Sequence, residues 1–387
     1  MRRGPTGRYE PVSVGGEIVR DFIPAPLPPD PPIEMTLERL RLLEAAVLAL
    51  GHLDRSTFLL PDPEVFLYSY VRREAVFSSQ IEGTQSTLTQ LMLFELEGAP
   101  GVPFEDVQEV SNYVAALEHG VTRLQEGFPL CNRLIREMHR ILLARGRGSQ
   151  KSPGEFRRTQ NWIGGTRPGD AHFVPPPAHR IPECMGNLER FLHDDQNPYP
   201  ILIKAALAHV QFETIHPFLD GNGRIGRLLI AFILHHDKVL SRPLLYLSLY
   251  FKQHRERYYH LLDKVRTEGE WEAWIDFFLA GVKEMAENAV STVQRLIKLF
   301  QQDEHAIHTG GGAVSTTLRV YQQFKRRPLL TLPYIHHQTK LTFPTVSKAV
   351  KRLEQLGIIR EVTGRKRNRV FAYEAYLNIL SEGTESI

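Results

Sequence analysis

The sequence predicts a mainly α-helical protein with small β additions. Apolar residues recur at helical spacing in window after window, joined by short links, as in an all-α bundle. Leu228-Leu229-Ile230-Ala231-Phe232-Ile233-Leu234 is apolar on every side, which suits a helix buried in a core. Alternating β patterns are confined to short stretches near the middle and the C-terminus.

The elements follow in order. Residues 1–33 are rich in Gly and Pro and end in Pro24-Ala25-Pro26-Leu27-Pro28-Pro29-Asp30-Pro31-Pro32, which reads as an extended arm. Helical patterns cover 36–49, opening on a Thr cap with Glu38, and then 64–82, 105–124, 132–143, 182–193 and 201–214. A long helical pattern from Trp271 reaches about Gln302, and Thr309-Gly310-Gly311-Gly312 breaks it as a linker or hinge. The organisation expected is an arm at 1–33, a helical region at 34–125, a helical core at 126–303, and a linker with a small terminal domain at 304–387. No internal repeat is evident.

Bulk properties suit a soluble intracellular protein. The 387 residues carry a net charge of +3, with 42% hydrophobic and 24% charged residues, and suggest two or three domains. Cys131 and Cys184 are too few for a disulfide framework and lie in no metal-ligand spacing. No signal-type apolar stretch opens the chain, and no apolar run approaches the roughly 20 residues of a membrane span, so a cytoplasmic protein without membrane contact is expected.

The most informative segment is His216-Pro217-Phe218-Leu219-Asp220-Gly221-Asn222-Gly223-Arg224-Ile225-Gly226-Arg227, which leads into the apolar helix. The first N–H groups of a helix are unpaired and carry the positive end of its dipole, so Gly221, Asn222 and Gly223 can wrap phosphate oxygens. Asp220 suits Mg²⁺, which takes one or two carboxylates plus phosphate oxygens and waters. Arg224 and Arg227, three apart, share a helix face and can each grip a phosphate. His216 is the one group in the segment that titrates near neutrality, which suits a general base. Taken singly these are ordinary features: a structural histidine, a turn, a solvated arginine face. Their conjunction at this spacing is not.

The segment resembles the Fic family signature HPFx[D/E]GNGRxxR at all twelve positions. The resemblance implies a helical bundle that binds ATP and Mg²⁺ and moves AMP to a hydroxyl of a target protein. Carried over, His216 is the base and Asp220 the metal ligand. Gly221, Asn222, Gly223, Arg224, Ile225, Gly226 and Arg227 form the ATP-binding run, with the two arginines on the β- and γ-phosphates. Kinase-type relatives carry Lys where this chain has Gly223, which favours nucleotidyl transfer.

Tyr70 to Gly83 has helical periodicity and ends on glycine, and Ser78 and Glu82 are four apart on one face. This stretch resembles the family's autoinhibitory motif [S/T]xxxE[G/N]. The resemblance implies that Glu82 pairs with Arg227 and takes the place of the γ-phosphate.

Two short extended stretches flank Arg167-Pro168-Gly169-Asp170 and read as a hairpin. The resemblance implies a flap that holds the target by strand addition, with Asn161, Trp162, Ile163 and Gly164 touching the nucleotide. It also implies an aromatic near adenine from the helical run 255–262, which leaves Tyr258 or Tyr259 as the candidate.

The C-terminal part differs in charge. Residues 342–359 read as a helix with a glycine stop, followed by two alternating strands around a basic turn, which resembles a winged helix-turn-helix. From Thr345 to Arg369 there are eight Lys or Arg against two Glu. Lys348, Lys351 and Arg352 share a helix face, and Arg365, Lys366, Arg367 and Arg369 line the wing, a footprint suited to DNA phosphates or to an ordinary solvated surface.

The expectation is therefore a protein adenylyltransferase restrained by Glu82, acting on an unidentified protein bearing a Ser, Thr or Tyr hydroxyl, or on itself. The alternatives are a DNA-binding regulator whose site senses ATP, and a site that also removes AMP. A homodimer is compatible with the sequence, but no interface is legible in it.

Overall fold

A computed structural model describes residues 3–14, 16–57, 63–96 and 104–383. Helices dominate: α1 Leu37–Thr57, α2 Pro63–Ile81, α3 Leu88–Glu95, α4 Phe104–Gln125, α5 Asn132–Leu142, α6 Ile181–Leu192, α7 Ile201–Ile215, α8 Asn222–His236, α9 Ser248–Gln253, α10 Arg255–Glu268, α11 Trp271–Thr309, α12 Val314–Arg326, α13 Leu332–Thr339, α14 Phe343–Gln355 and α15 Glu374–Ser381. The strands are β1 Gly7–Val14, β2 Glu17–Pro24, β3 Leu329–Thr331, β4 Arg360–Glu361 and β5 Val370–Ala372. The chain is mainly α, as its periodicity predicts.

The chain divides into two compact units, one of Met1–Gly51, Ile81–Gly83 and Asn112–Ala286, the other of His52–Gln80, Thr84–Ser111 and Glu287–Ile387. This division cuts across the sequence-based boundaries, because long helices such as α4 and α11 contribute to both units.

In the first unit α7 and α8 pack along each other and form the centre of the core. From Ala205 to Ile215 every residue of α7 is buried, as is every residue of α8 from Arg224 to Leu234. Helices apolar on all sides require cover on all sides. Trp274 of α11 closes one flank, its Nε1 donating to Ala206 O at 2.9 Å.

The stretch expected as an extended arm is instead an antiparallel hairpin, with Gly7 opposite Pro24 and Val14 opposite Glu17. The prolines that suggested an arm cluster after β2. Upstream of them Val19, Asp21, Phe22 and Ile23 turn inward while Ile18 stays 82% exposed. Phe22 N donates to Val174 O at 2.9 Å, so the hairpin is sewn to the rest of its unit.

In the second unit β3, β5 and β4 lie side by side in that order, all antiparallel, with Leu329 and Arg360 both opposite Ala372. Helices α12 and α13 pack on α14. Residues 342–359 do carry a helix that stops before Gly357, but α12, β3, α13 and α15 lie outside the sequence-based reading. Tyr321 and Tyr373 share a hydroxyl hydrogen bond of 2.9 Å, and Tyr373 donates to Asp303. The expected break after α11 is present, with Gly311 and Gly312 at φ of 71° and 84°.

Candidate active site

His216 ends α7 in the left-handed region, at φ 49° and ψ 59°, while its N–H still bonds to Phe212 O at 2.9 Å. A non-glycine residue held there is strained unless its surroundings fix it. Arg157 supplies the fixing: its backbone N donates to Pro217 O and its Nε to His216 O, both at 2.9 Å. Asn222 closes the loop from the other end, its side chain accepting from Phe218 N and donating to Phe218 O at 2.9 Å each. Gly221, at φ 76°, then admits the chain to α8.

His216 Nδ1 donates to Glu213 O at 3.4 Å, which leaves Nε2 with its lone pair. Burial, helped by the nearby Arg157 charge, pushes its pKa down to about 4. The ring is therefore neutral at pH 7, with Nε2 unprotonated.

Arg227 does not meet solvent. Its Nη2 donates to Glu82 Oε1 at 2.7 Å, with side-chain exposures of 2% for Arg227 and 37% for Glu82. Burial works to raise the Glu82 pKa, but the guanidiniums of Arg227 and Arg224 hold it below the usual carboxylate range. Glu82 lies just past the end of α2, followed by Gly83 at φ 96°. Gly223 is what lets it in, since a Cβ there would collide with Glu82 Oε1 and lie 2.9 Å from Arg227 Nη1. Ser78, expected on the same face as Glu82, is fully buried.

Asp220 Oδ1 accepts from Gly221 N at 2.6 Å and from Arg224 Nη2 at 3.3 Å. Its Oδ2 takes no hydrogen bond among the described residues. Those residues contain no group of three His, Cys, Asp or Glu side chains placed to hold a metal unaided. One free carboxylate oxygen beside the start of α8 suits Mg²⁺ completed by phosphates and water.

A cavity of about 710 Å³ opens over these groups. His216, Asp220, Glu82 and Arg227 line it, as do all of Asn161, Trp162, Ile163 and Gly164. The expected hairpin is a loop closed by a single bridge, Ile163 to Phe173, with Ile163 N donating to Phe173 O at 2.8 Å. Asp170 accepts from the backbone of Thr166 and Arg167 and ties the tip into a turn.

Some expected contacts face elsewhere. Ile225 is fully buried in the core, and Gly226 packs against α7, where a Cβ would collide with Glu213 Oε1. Arg224 is spent partly on Asp220 and is not among the residues lining the cavity. Tyr258 borders the cavity but is 1% exposed, sharing a hydrogen bond of 2.9 Å with His209 Nε2. Tyr259, 41% exposed and with Arg255 5.4 Å from its ring, is the freer of the two.

Three polar groups here escaped the sequence reading. His139 stacks on Phe218 at 3.7 Å and bonds to Asp220 O at 3.0 Å, with Gly154 N donating to its Nδ1. Glu213 is buried with Oε1 unpartnered, and burial raises its pKa to about 7. Arg157 is the third. His139 and Arg157 act on backbone remote in sequence, and Glu213 Oε1 has no hydrogen-bond partner among the described residues, so no local spacing reports them.

The basic residues of the second unit also have their places. Lys348 and Lys351 are exposed on α14, and Arg352 is half-buried with Nε unpartnered. In the loop joining β4 to β5, Lys366 and Arg367 are exposed, Arg365 is half-buried, and Arg369 lies 5.2 Å from the Phe371 ring.

Comparison with known proteins places this geometry. Residues 40–122 match the Fic/DOC family N-terminal region and residues 129–234 the Fic/DOC family domain. Among similar curated proteins, the Protein adenylyltransferase Fic of Drosophila grimshawi is 32% identical over 214 residues, covering 53% of this chain and 41% of that protein. Its counterpart in Drosophila melanogaster is 31% identical over 215 residues, covering 53% and 40%. The match thus spans about two fifths of these relatives' length. In fold, the chain is similar to a Fic family protein from Desulfovibrio desulfuricans G20, with TM-score 0.58 and 22% identity over 88% of this chain and 97% of that one. It is also similar to Fic-1 from C. elegans, with TM-score 0.52 and 22% identity over 67% and 73%. With both segments matched in order and His216, Asp220, Gly221, Asn222, Gly223 and Arg227 lining one cavity, the chain carries a Fic/DOC family N-terminal region and a Fic/DOC family domain.

Proposed function

We propose that the chain transfers AMP from ATP to a Ser, Thr or Tyr hydroxyl of a target protein, and that Glu82 restrains this transfer at rest. The observation that carries the reading is a neutral His216 sharing one cavity with a phosphate-type helix start and an arginine already held by a carboxylate. The similar curated proteins are named adenylyltransferases, which supports the same chemistry.

In this reading the target hydroxyl gives its proton to His216 Nε2. Its oxygen bonds to the α-phosphorus, and the bond from that phosphorus to the bridging oxygen breaks, releasing pyrophosphate. The backbone of Gly221, Asn222 and Gly223 offers N–H groups to phosphate oxygens. Arg227 takes the γ-phosphate once Glu82 yields, and Arg224, outside the cavity lining at rest, reaches the β-phosphate only by turning from Asp220. Mg²⁺, held by Asp220 with phosphate oxygens, would neutralise charge on the leaving group. Tyr259 is the aromatic best placed to lie against the adenine. The flap at 161–173 receives the target segment through its backbone.

His216→Ala is the direct test: labelled AMP transfer disappears while ATP binding persists. Loss of ATP binding together with transfer would point to a structural role for this histidine instead.

A second reading concerns the other unit. Its order of helix, strand, two helices, strand, basic loop and strand suits a winged helix, with exposed Lys348 and Lys351 on the helix that would face DNA phosphates. We read it as an accessory nucleic-acid module rather than as the seat of the main activity. Cys131 and Cys184 are both free, and no helix among the described residues is long and apolar enough to cross a membrane. Both facts suit the ATP-containing cytoplasm.

A further inference from the structure

The geometry points to Asp21, in the N-terminal hairpin, as the counter-charge of Arg157 and hence a positioning residue for His216. The hairpin lies outside both family-matched segments, which begin at residue 40.

Arg157 is 2% exposed. Its guanidinium donates to His216 O, to Thr159 O, to Gln160 Oε1 and to Pro176 O. Every one of these acceptors is neutral, so hydrogen bonds satisfy the donors and leave the charge uncompensated. Burial alone drives the Arg157 pKa down to about 10, and Asp21 is the one carboxylate acting to hold it up. A buried cation without a counter-charge is a costly arrangement.

Asp21 is the reciprocal case. It is fully buried, and neither carboxylate oxygen has a hydrogen-bond partner. An ionised carboxylate in that state persists only beside a positive charge. Arg157 is that charge, while Glu10 and His179 are the other titratable groups that act on Asp21. The register of the hairpin sets the position: Asp21 lies opposite Glu10 on β1, and Phe22 N binds Val174 O two residues before Pro176. One cation thus holds the left-handed kink at His216 and the base of the flap, and Asp21 of the hairpin acts on it through its charge.

Removal of the Asp21 charge is expected to loosen the hold of Arg157 on His216 O. The ring then loses its alignment, while the phosphate-binding backbone of α8 is untouched. Burial pushes the Asp21 pKa up to about 6. The folded group is ionised at pH 7.5, and its charge is lost as pH falls through about 6, well above the pKa of His216.

The test uses the full-length chain in three forms: Asp21→Asn, Arg157→Gln and the double variant. In its kinetic arm, which rests on the AMP-transfer reading, each is placed on a Glu82→Gly background. Asp21→Asn is expected to lower kcat for labelled AMP transfer about tenfold with KM for ATP within twofold. A fall in kcat below about pH 6 is expected of the parent and is expected to be absent in Asp21→Asn. In its second arm, which needs no activity, the His216 ring is followed by ¹⁵N-histidine NMR. Asp21→Asn and Arg157→Gln are both expected to shift the His216 ring signals, and the double variant to be no less thermally stable than Asp21→Asn alone. Unmoved His216 signals in Asp21→Asn, or losses in thermal stability that simply add in the double variant, would overturn the inference. A parent without transfer would sink the AMP-transfer reading and leave the NMR arm to decide this one.

Discussion

Arg227 donates to Glu82 at 2.7 Å, and the space Glu82 occupies exists because residue 223 is glycine. Glu82 and the segment from His216 to Arg227 are therefore one constellation. Lysine at 223 would bring a Cβ onto Glu82 Oε1. Gly223 leaves room for Glu82 at Arg227, the contact that the proposed reading takes as the brake.

The two tyrosines of α10 separate by phase. Tyr258→Phe removes a hydroxyl bonded to His209 and is expected to cost about 1 kcal/mol of stability with KM for ATP unchanged. Tyr259→Ala is expected to raise KM for ATP several-fold with little change in melting temperature. Melting curves and ATP titrations of the two variants check this; the opposite pattern would exchange their roles.

Gly226→Ala places a Cβ onto Glu213 Oε1 and within 3.2 Å of Phe212. Overpacking of this kind costs about 1–3 kcal/mol. A lowered denaturation midpoint at unchanged m-value is the expected result in urea titration.

Stability should fall on acidification. Burial lowers the pKa of His139 from 6.5 to about 4 and that of His209 from 6.5 to about 3. Both rings are neutral in the folded state, whereas the unfolded chain takes up protons below about pH 6.5. The unfolded state then binds more protons, so stability rises with pH across that interval and is lost below it. Each ring contributes a slope of up to about 1.4 kcal/mol per pH unit. Melting temperatures measured from pH 7.5 to 5 should decline, and His209→Gln should flatten the decline.

Lys348→Ala with Lys351→Ala is expected to weaken any DNA retention at low salt and to reduce its salt dependence by about two phosphate contacts. Equal gel shifts for the parent and this variant would remove α14 as the DNA-facing helix.

Much of this was legible in the sequence, for physical reasons that can be named. The helical spans at 64–82, 105–124, 132–143, 182–193 and 201–214 fall within a residue or two of the observed helices, because each pairs a strong apolar period with a clear stop. The hairpin of β1 and β2 was obscured by the prolines that follow it. Tyr258 could have been told from Tyr259 by phase alone, since Tyr258, Leu261, Leu262 and Val265 fall on one buried face. His139, Arg157, Glu213 and Asp21 could not have been found by spacing. They work through carbonyl groups and charges brought near by the tertiary fold.

The measurement that bears most directly on the central claim is labelled AMP transfer by the parent chain, by Glu82→Gly and by Glu82→Gly with His216→Ala. A charge-assisted hydrogen bond at a buried arginine contributes about 1.5–3 kcal/mol, so its removal should raise transfer about tenfold or more. The second substitution should then abolish it. Transfer that is unchanged or lower in Glu82→Gly, or that survives His216→Ala, would contradict an AMP-transfer site restrained by its own chain.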